Sequence, residues 1–253
     1  MPGAASTFKV ILFDFGSTLI YSKDPWPPIY EQADRALVKV FMHAGIPLEI
    51  KAFSSEFETF LDTYYAERGT SPIEKTTFSA LQELLQQEGF QEIPASMVRT
   101  ALDAMYSITQ QNWYLETDTI PTLKTLRERN YRLGMVSNTS DDKNVQQLVD
   151  RWELRPFFET IVTSAGCGFR KPDQRIFRFA LDHFGVPPEQ VAMVGDSPEA
   201  DILGANQLRL YSIWITRRAS PPEEGELSIQ PQAVIPTLDL LPGLLADAEN
   251  DAP

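Results

Sequence analysis

Asp14, Ser137, Lys171, Asp196 and Asp201 are side chains that could do chemistry together, because each stands at or just beyond the end of a short apolar run. Asp14 closes Val10-Ile11-Leu12-Phe13 and opens the hexapeptide Asp14-Phe15-Gly16-Ser17-Thr18-Leu19. Ser137-Asn138 ends a second run. Lys171-Pro172-Asp173 follows a third, after the loop Gly166-Cys167-Gly168, and Gly195-Asp196-Ser197-Pro198-Glu199-Ala200-Asp201 follows a fourth. If the runs are parallel strands, their C-terminal ends bring carboxylates, an ammonium and a hydroxyl to one crevice, the place where open α/β sheets bind ligands.

The elements that must position these groups are legible as periodicity. Short segments rich in β-branched residues recur at Lys9 to Phe13, Arg132 to Ser137, Thr160 to Thr163, Val191 to Val194, Tyr211 to Ile215 and Ala233 to Ile235. Helical patterns separate most of them from the second onward, among them Thr122 to Arg129, Gln174 to Phe184 and Glu199 to Gln207. Such alternation predicts βα units in a doubly wound parallel sheet covered on both faces. Asn130 suits a left-handed helix end. Between Ser22 and about Trp113 the strand signal disappears and four apolar stripes at helical spacing take its place. They run through Leu37 and Phe41, Phe53 and Phe57, Leu81 and Leu85, and Ala101 and Met105. They predict a four-helix insert after the first strand, placed to act as a lid that excludes water and selects substrate. The expected division is therefore residues 1–21 and 113–246 as an α/β core, 22–112 as a helical cap, and 247–253 as a frayed acidic tail. Arg217 to Gln232, rich in Pro and Glu, reads as a surface loop.

Composition removes several classes of function. The chain has 22 Lys and Arg against 35 Asp and Glu, a formal charge of -13, which argues against nucleic acid as a partner and requires local cations wherever a phosphate binds. No apolar run approaches the roughly 20 residues that cross a bilayer, so no membrane partner is expected. The single cysteine, Cys167, excludes an internal disulfide. The N-terminus lacks the pattern of a secretory leader, and a cytoplasmic protein is the simplest expectation.

The four clusters, in this order and with Gly168-x-x-Lys171-Pro172-Asp173 and Gly195-Asp196-Ser197-x-x-x-Asp201 both intact, resemble the haloacid dehalogenase (HAD) superfamily from Val10 to about Leu245. The helical insert matches the cap that this superfamily places after its first motif. The resemblance implies that Asp14 is a nucleophile forming a covalent aspartyl intermediate. It implies Mg2+ held by the Asp14 carboxylate, the backbone carbonyl of Gly16, Asp196 and Asp201, the last through water or by orienting Lys171 instead. Oxygen ligands with waters suit such a hard cation. By the same resemblance Ser137 donates its hydroxyl to a phosphoryl oxygen, while Lys171 pairs with the phosphate and with Asp14. Asn138 is a ligand-facing or supporting group, and Thr18, counted with Ser137, Asn138 and Lys171 as substrate-binding, braces the loop after the first strand.

One departure divides the possible functions. Phosphatases of the superfamily carry Asp two residues after the nucleophile, to protonate the leaving group and later deprotonate water. Here that residue is Gly16. General acid–base catalysis is worth roughly 10²- to 10⁴-fold, so its loss weighs least on leaving groups already stable as anions. The leading expectation is a Mg2+-dependent, phosphatase-like hydrolase of a small phosphorylated metabolite, slow or restricted to good leaving groups. A non-catalytic binder of a phosphorylated ligand or protein partner is the alternative. A dehalogenase, which expels halide without a proton, and a phosphonatase, which uses a cap lysine, are further readings. A second departure is Arg209, where relatives often end the helix with Gly. Neither substrate identity nor oligomeric state is written in the sequence.

Overall fold

A computed structural model describes residues 8–67, 71–218 and 229–250. The strands are β1 (Val10–Phe13), β2 (Ile20–Ser22), β3 (Trp113–Leu115), β4 (Arg132–Ser137), β5 (Thr160–Thr163), β6 (Val191–Gly195), β7 (Tyr211–Ile215) and β8 (Ala233–Ile235). The helices are α1 (Trp26–His43), α2 (Ile50–Glu67), α3 (Thr77–Gln87), α4 (Ala95–Thr109), α5 (Thr119–Glu128), α6 (Asp142–Arg151), α7 (Ser164–Cys167), α8 (Gln174–Phe184), α9 (Leu203–Gln207) and α10 (Leu241–Asn250). Two compact units result. One comprises Met1–Tyr21, Leu115–Asn138 and Val149–Pro253; the other comprises Ser22–Tyr114 and Thr139–Leu148.

The first unit is the expected doubly wound α/β fold. Its six-stranded sheet has the order β5-β4-β1-β6-β7-β8, and all neighbouring strands are parallel. β1 and β6 are buried at every position, as strands covered on both faces must be, so their apolar residues run without alternation. From β1 the chain crosses to β4 on one side and later returns to β6 on the other. The order therefore reverses at β1, and the crevice at its C-terminal end is where Asp14 stands. α8 covers one face with Ile176, Phe177, Ala180, Leu181 and Phe184. Asp173 caps its N-terminus by accepting from the Arg175 N–H at 2.9 Å, and Gly185 closes it in the left-handed conformation. Asn130 takes the left-handed φ of 66° expected of it, and Arg209 adopts φ 61°, a conformation that favours glycine.

The second unit is a helical bundle whose core includes Leu37, Phe41, Phe57, Leu81, Leu85 and Leu102. α1 packs most extensively on α4. Pro27 and Pro28 fall in the first turn of α1, where a missing N–H leaves no intrahelical bond unmade.

Three boundaries differ from expectation. Trp113 and Tyr114 group with the helices because the Trp113 ring packs on Trp26, with centroids 5.4 Å apart. Residues 139–148, expected in the core, group there too. Arg99 pairs with Asp141 at 2.6 Å and Lys143 with Asp103 at 2.7 Å, and the Thr77 N–H donates to the Ser140 carbonyl at 2.9 Å. α10 continues to Asn250, so residues 247–250 extend a helix anchored by buried Leu241 and Leu245. Residues 251–253 of the expected tail, and 219–228 of the expected surface loop, lie outside the described residues. No described helix is long and apolar enough to cross a membrane.

Candidate active site

The first unit brings its charged candidates together. Asp14, just past β1, is 8 % exposed, and its backbone N–H continues the ladder to the Val194 carbonyl at 2.9 Å. Lys171 reaches it from the turn before α8: Nζ donates to Asp14 Oδ1 at 2.6 Å and to the Val136 carbonyl at 2.7 Å. The same ammonium lies 2.6 Å from Asp201 Oδ1, an ion pair rather than an aligned hydrogen bond. Burial alone would lower the pKa of Lys171, but the two carboxylates outweigh it and hold the group above its ordinary value. The lysine is therefore a fixed positive charge beside Asp14.

Asn138 explains how that lysine is held. Its carboxamide oxygen accepts from the Lys171 N–H at 2.8 Å, and its Nδ2 donates to the Lys171 carbonyl at 3.1 Å. Both ends of the amide are thus engaged by the lysine backbone. Ser137 sits beside it, 5 % exposed at the end of β4.

Asp201 owes its position to local backbone chemistry. The segment expected to be one helix over Glu199 to Gln207 begins as a wide turn over Pro198–Ile202 before α9. The Ser197 carbonyl accepts from both the Asp201 and Ile202 N–H groups, at 2.8 and 3.4 Å. Such i→i+5 widening is common at functional sites. The Ser197 N–H donates to Asp201 Oδ2 at 3.0 Å. Gly195 leaves room for that carboxylate, since a Cβ there would lie 2.2 Å from Asp201 Oδ2 and 2.3 Å from Cγ. Gly195→Ala is accordingly expected to displace Asp201, to destabilise the fold by about 1–3 kcal/mol, and to diminish any rise in melting temperature on adding Mg2+. Thermal melts with and without Mg2+ check this, and an undiminished metal response would refute it.

Asp196 has a support that the sequence did not advertise. Its carbonyl accepts from the Trp214 indole N–H at 2.9 Å. In sequence Trp214 reads only as one more apolar residue of β7, and the pairing of Gly195 with Trp214 in the sheet is what brings the indole across.

Asp14, Asp196 and Asp201 each present one oxygen within 4.8 Å of the others'. Lys171 supplies one positive charge against these three carboxylates, leaving two negative charges uncompensated. Burial first, then repulsion from Asp14 and Asp201, pushes the Asp196 pKa up. Burial also raises that of Asp201, against the pull of Lys171. A divalent cation on this oxygen cluster would reverse both effects, so the donor set fits Mg2+.

In the loop after Asp14, the Phe15 carbonyl accepts from the N–H groups of Leu19 and Ile20 at 2.9 and 3.2 Å, Gly16 bridges to Ile20, and Ser17 takes φ 59°. Thr18 is buried there, but its hydroxyl has no partner among the described residues, so the bracing bonds expected of it are not made.

Comparison with known proteins agrees with this arrangement. Residues 8–209 match the family model of haloacid dehalogenase-like hydrolases. The chain is 30% identical over 225 residues to a glyceraldehyde 3-phosphate phosphatase of Methanothermobacter thermautotrophicus, covering 87% of this chain and 90% of that one. Over a shorter stretch of 102 residues, 40% of each chain, it is 38% identical to a phosphoserine phosphatase of Thermus thermophilus. Among solved structures it shares its fold with a 2-haloacid dehalogenase from Pseudomonas syringae, at TM-score 0.69 and 22% identity over 95% of this chain and 99% of that one. With four strand-end clusters converging at the reversal point of the sheet and a family match spanning them all, the chain belongs to the haloacid dehalogenase-like hydrolases.

Proposed function

We propose that this hydrolase removes phosphate from a small phosphorylated metabolite through a phospho-Asp14 intermediate, and that its preference is for leaving groups already stable as anions. The observation that carries this reading is Asp14 held against a buried lysine, with Oδ1 2.6 Å from Nζ, within a three-carboxylate cluster. The resemblance to proteins named as glyceraldehyde 3-phosphate and phosphoserine phosphatases supports a phosphorylated metabolite as substrate.

In this reading an Asp14 oxygen attacks phosphorus, the bond to the leaving oxygen breaks, and that oxygen departs with the electron pair. Water then attacks phosphorus of the phospho-aspartyl group, returning the carboxylate and releasing phosphate. Lys171 holds positive charge beside both anions, and the Ser137 hydroxyl donates to a phosphoryl oxygen. Asn138 acts through Lys171, by fixing its backbone. Asp14, Asp196, Asp201 and the Gly16 carbonyl would hold Mg2+, which when bound offsets the repulsion between anionic nucleophile and anionic phosphate. Gly16 supplies no proton to the leaving group and no base for the water. A poor leaving group therefore departs slowly, and hydrolysis of the intermediate is slow for any substrate.

Phosphate release with Mg2+ from acetyl phosphate, p-nitrophenyl phosphate and a sugar phosphate tests the proposal. Turnover should be similar for the two good leaving groups, where hydrolysis of the shared intermediate sets the pace, and fall steeply for the sugar phosphate. Equal turnover of the sugar phosphate would mean that another residue supplies the acid. No turnover of any would favour the second reading, a protein that binds a phosphorylated ligand without hydrolysing it, to which Gly16 also points.

A further inference from the structure

The helical unit contains a cavity of ≈ 680 Å³ whose walls come from α1, α2 and α4 together with Trp113, Ser140 and Asn144. Its volume is within the range of sites for small organic ligands, roughly 300–1,000 Å³. One side is aromatic. The Trp26 and Tyr30 rings stack at 5.2 Å with an interplanar angle of 12°, and Trp113 tilts against Trp26 at 5.4 Å. Phe57 and Leu61 continue the apolar lining.

Two carboxylates on this wall form no ion pair among the described residues, although the cation Lys51 also lines the cavity. Asp34 of α1 and Glu58 of α2 both line the cavity, and neither forms an ion pair or side-chain hydrogen bond with a described residue. Arg35, the adjacent cation, is taken by Glu31 at 2.5 Å. Burial, then repulsion from Glu58, pushes the Asp34 carboxyl up to about 6, the direction expected when an acid is part-buried without a cation. Ser54 adds a polar group to the same lining. Thr59 and Thr63 of α2 return their hydroxyls to carbonyls one turn back, at 2.8 and 3.0 Å, but the buried Ser54 hydroxyl has no partner. Aromatic faces and uncompensated carboxylates around one cavity are complementary to a single class of guest. Aromatic quadrupoles and carboxylates attract cations, while the apolar lining favours an organic body over a hydrated metal ion.

We propose that this cavity binds an amphipathic organic ammonium ion, with its charge toward Asp34 and Glu58 and its body against Trp26, Tyr30 and Trp113. The site is built entirely within the helical unit, so it stands independently of phosphate release by the other unit.

Isothermal titration of the full-length protein with benzyltrimethylammonium and phenethylammonium tests it, using benzyl alcohol as neutral isostere and phenylacetate as anion. The expected result is saturable one-to-one binding of both cations, at least ten-fold weaker binding of the alcohol, and none of the anion. Asp34→Asn preserves shape and relieves the repulsion, so the fold should hold. It should weaken cation binding ten-fold or more while leaving acetyl phosphate turnover unchanged. Trp26→Leu should weaken binding of both cations as well. The proposal is overturned if neither cation binds, if the alcohol binds equally well, or if Asp34→Asn leaves the cation affinity intact.

Discussion

Replacing Gly16 by aspartate is expected to raise turnover of alkyl phosphates by roughly 10²- to 10⁴-fold, the range that general acid–base catalysis contributes. For acetyl phosphate the gain should come from faster hydrolysis of the intermediate alone, because its leaving group already departs as a stable anion. The surroundings favour the required protonation state. A carboxyl two residues from Asp14 joins a region where Asp14, Asp196 and Asp201 already outnumber Lys171 in charge. Repulsion there raises the pKa of an added acid, the direction that keeps it a proton donor near neutrality. Steady-state kcat across the same graded substrates checks this. If turnover is unchanged for every substrate, the missing acid is not what limits the protein, and the binding reading gains.

Asp14→Asn is expected to abolish phosphate release on every substrate, a fall on the order of 10⁴-fold or more by analogy with removal of other covalent nucleophiles. It should do so without unfolding the protein. The amide is isosteric, and Lys171 keeps its bond to the Val136 carbonyl and its ion pair with Asp201. Removing one of three clustered carboxylates also relieves repulsion that Lys171 alone does not balance. In a chelator, the melting temperature of Asp14→Asn should therefore equal or exceed that of the parent protein, whereas Mg2+ should stabilise the parent more. A variant that both melts early and loses activity would say only that the fold had failed. A stable variant that retains turnover would remove Asp14 from the chemistry.

How much of this was legible in the sequence depended on the range of the interaction. The central sheet strands were readable because strands buried on both faces are uniformly apolar, as Val10–Phe13 and Val191–Gly195 are, while the edge strands Thr160–Thr163 and Ala233–Ile235 were read from their β-branched residues. Once their order is known, Asp14, Lys171, Asp196 and Asp201 must converge, because each follows a strand end. β2 and β3 were not readable, since Ile20–Ser22 and Trp113–Leu115 lack the run of β-branched residues that made the equally short Ala233–Ile235 legible. The polar pairs that associate residues 139–148 with the helices join positions about 40 apart, Arg99 with Asp141 and Lys143 with Asp103. No local pattern encodes them. The grip of Asn138 on Lys171 spans 33 positions and that of Trp214 on Asp196 spans 18, so a sequence can suggest that such residues matter but not to what they bond. Thr18 shows the converse. Its type suited a bracing hydroxyl, yet the loop's own N–H groups turn to Phe15, and the hydroxyl is left unpartnered.

If Asp14 is phosphorylated and Gly16 leaves the product of that step slow to hydrolyse, the phosphorylated protein should accumulate during turnover. The most direct measurement is acid-quenched labelling with acetyl phosphate carrying a radioactive phosphoryl group, in Mg2+, followed by peptide mapping. Label approaching one phosphoryl per chain is expected on the peptide bearing Asp14, less at steady state in Gly16→Asp because hydrolysis is restored, and none in Asp14→Asn. Phosphate release without any trapped label, or label that persists in Asp14→Asn, would contradict it.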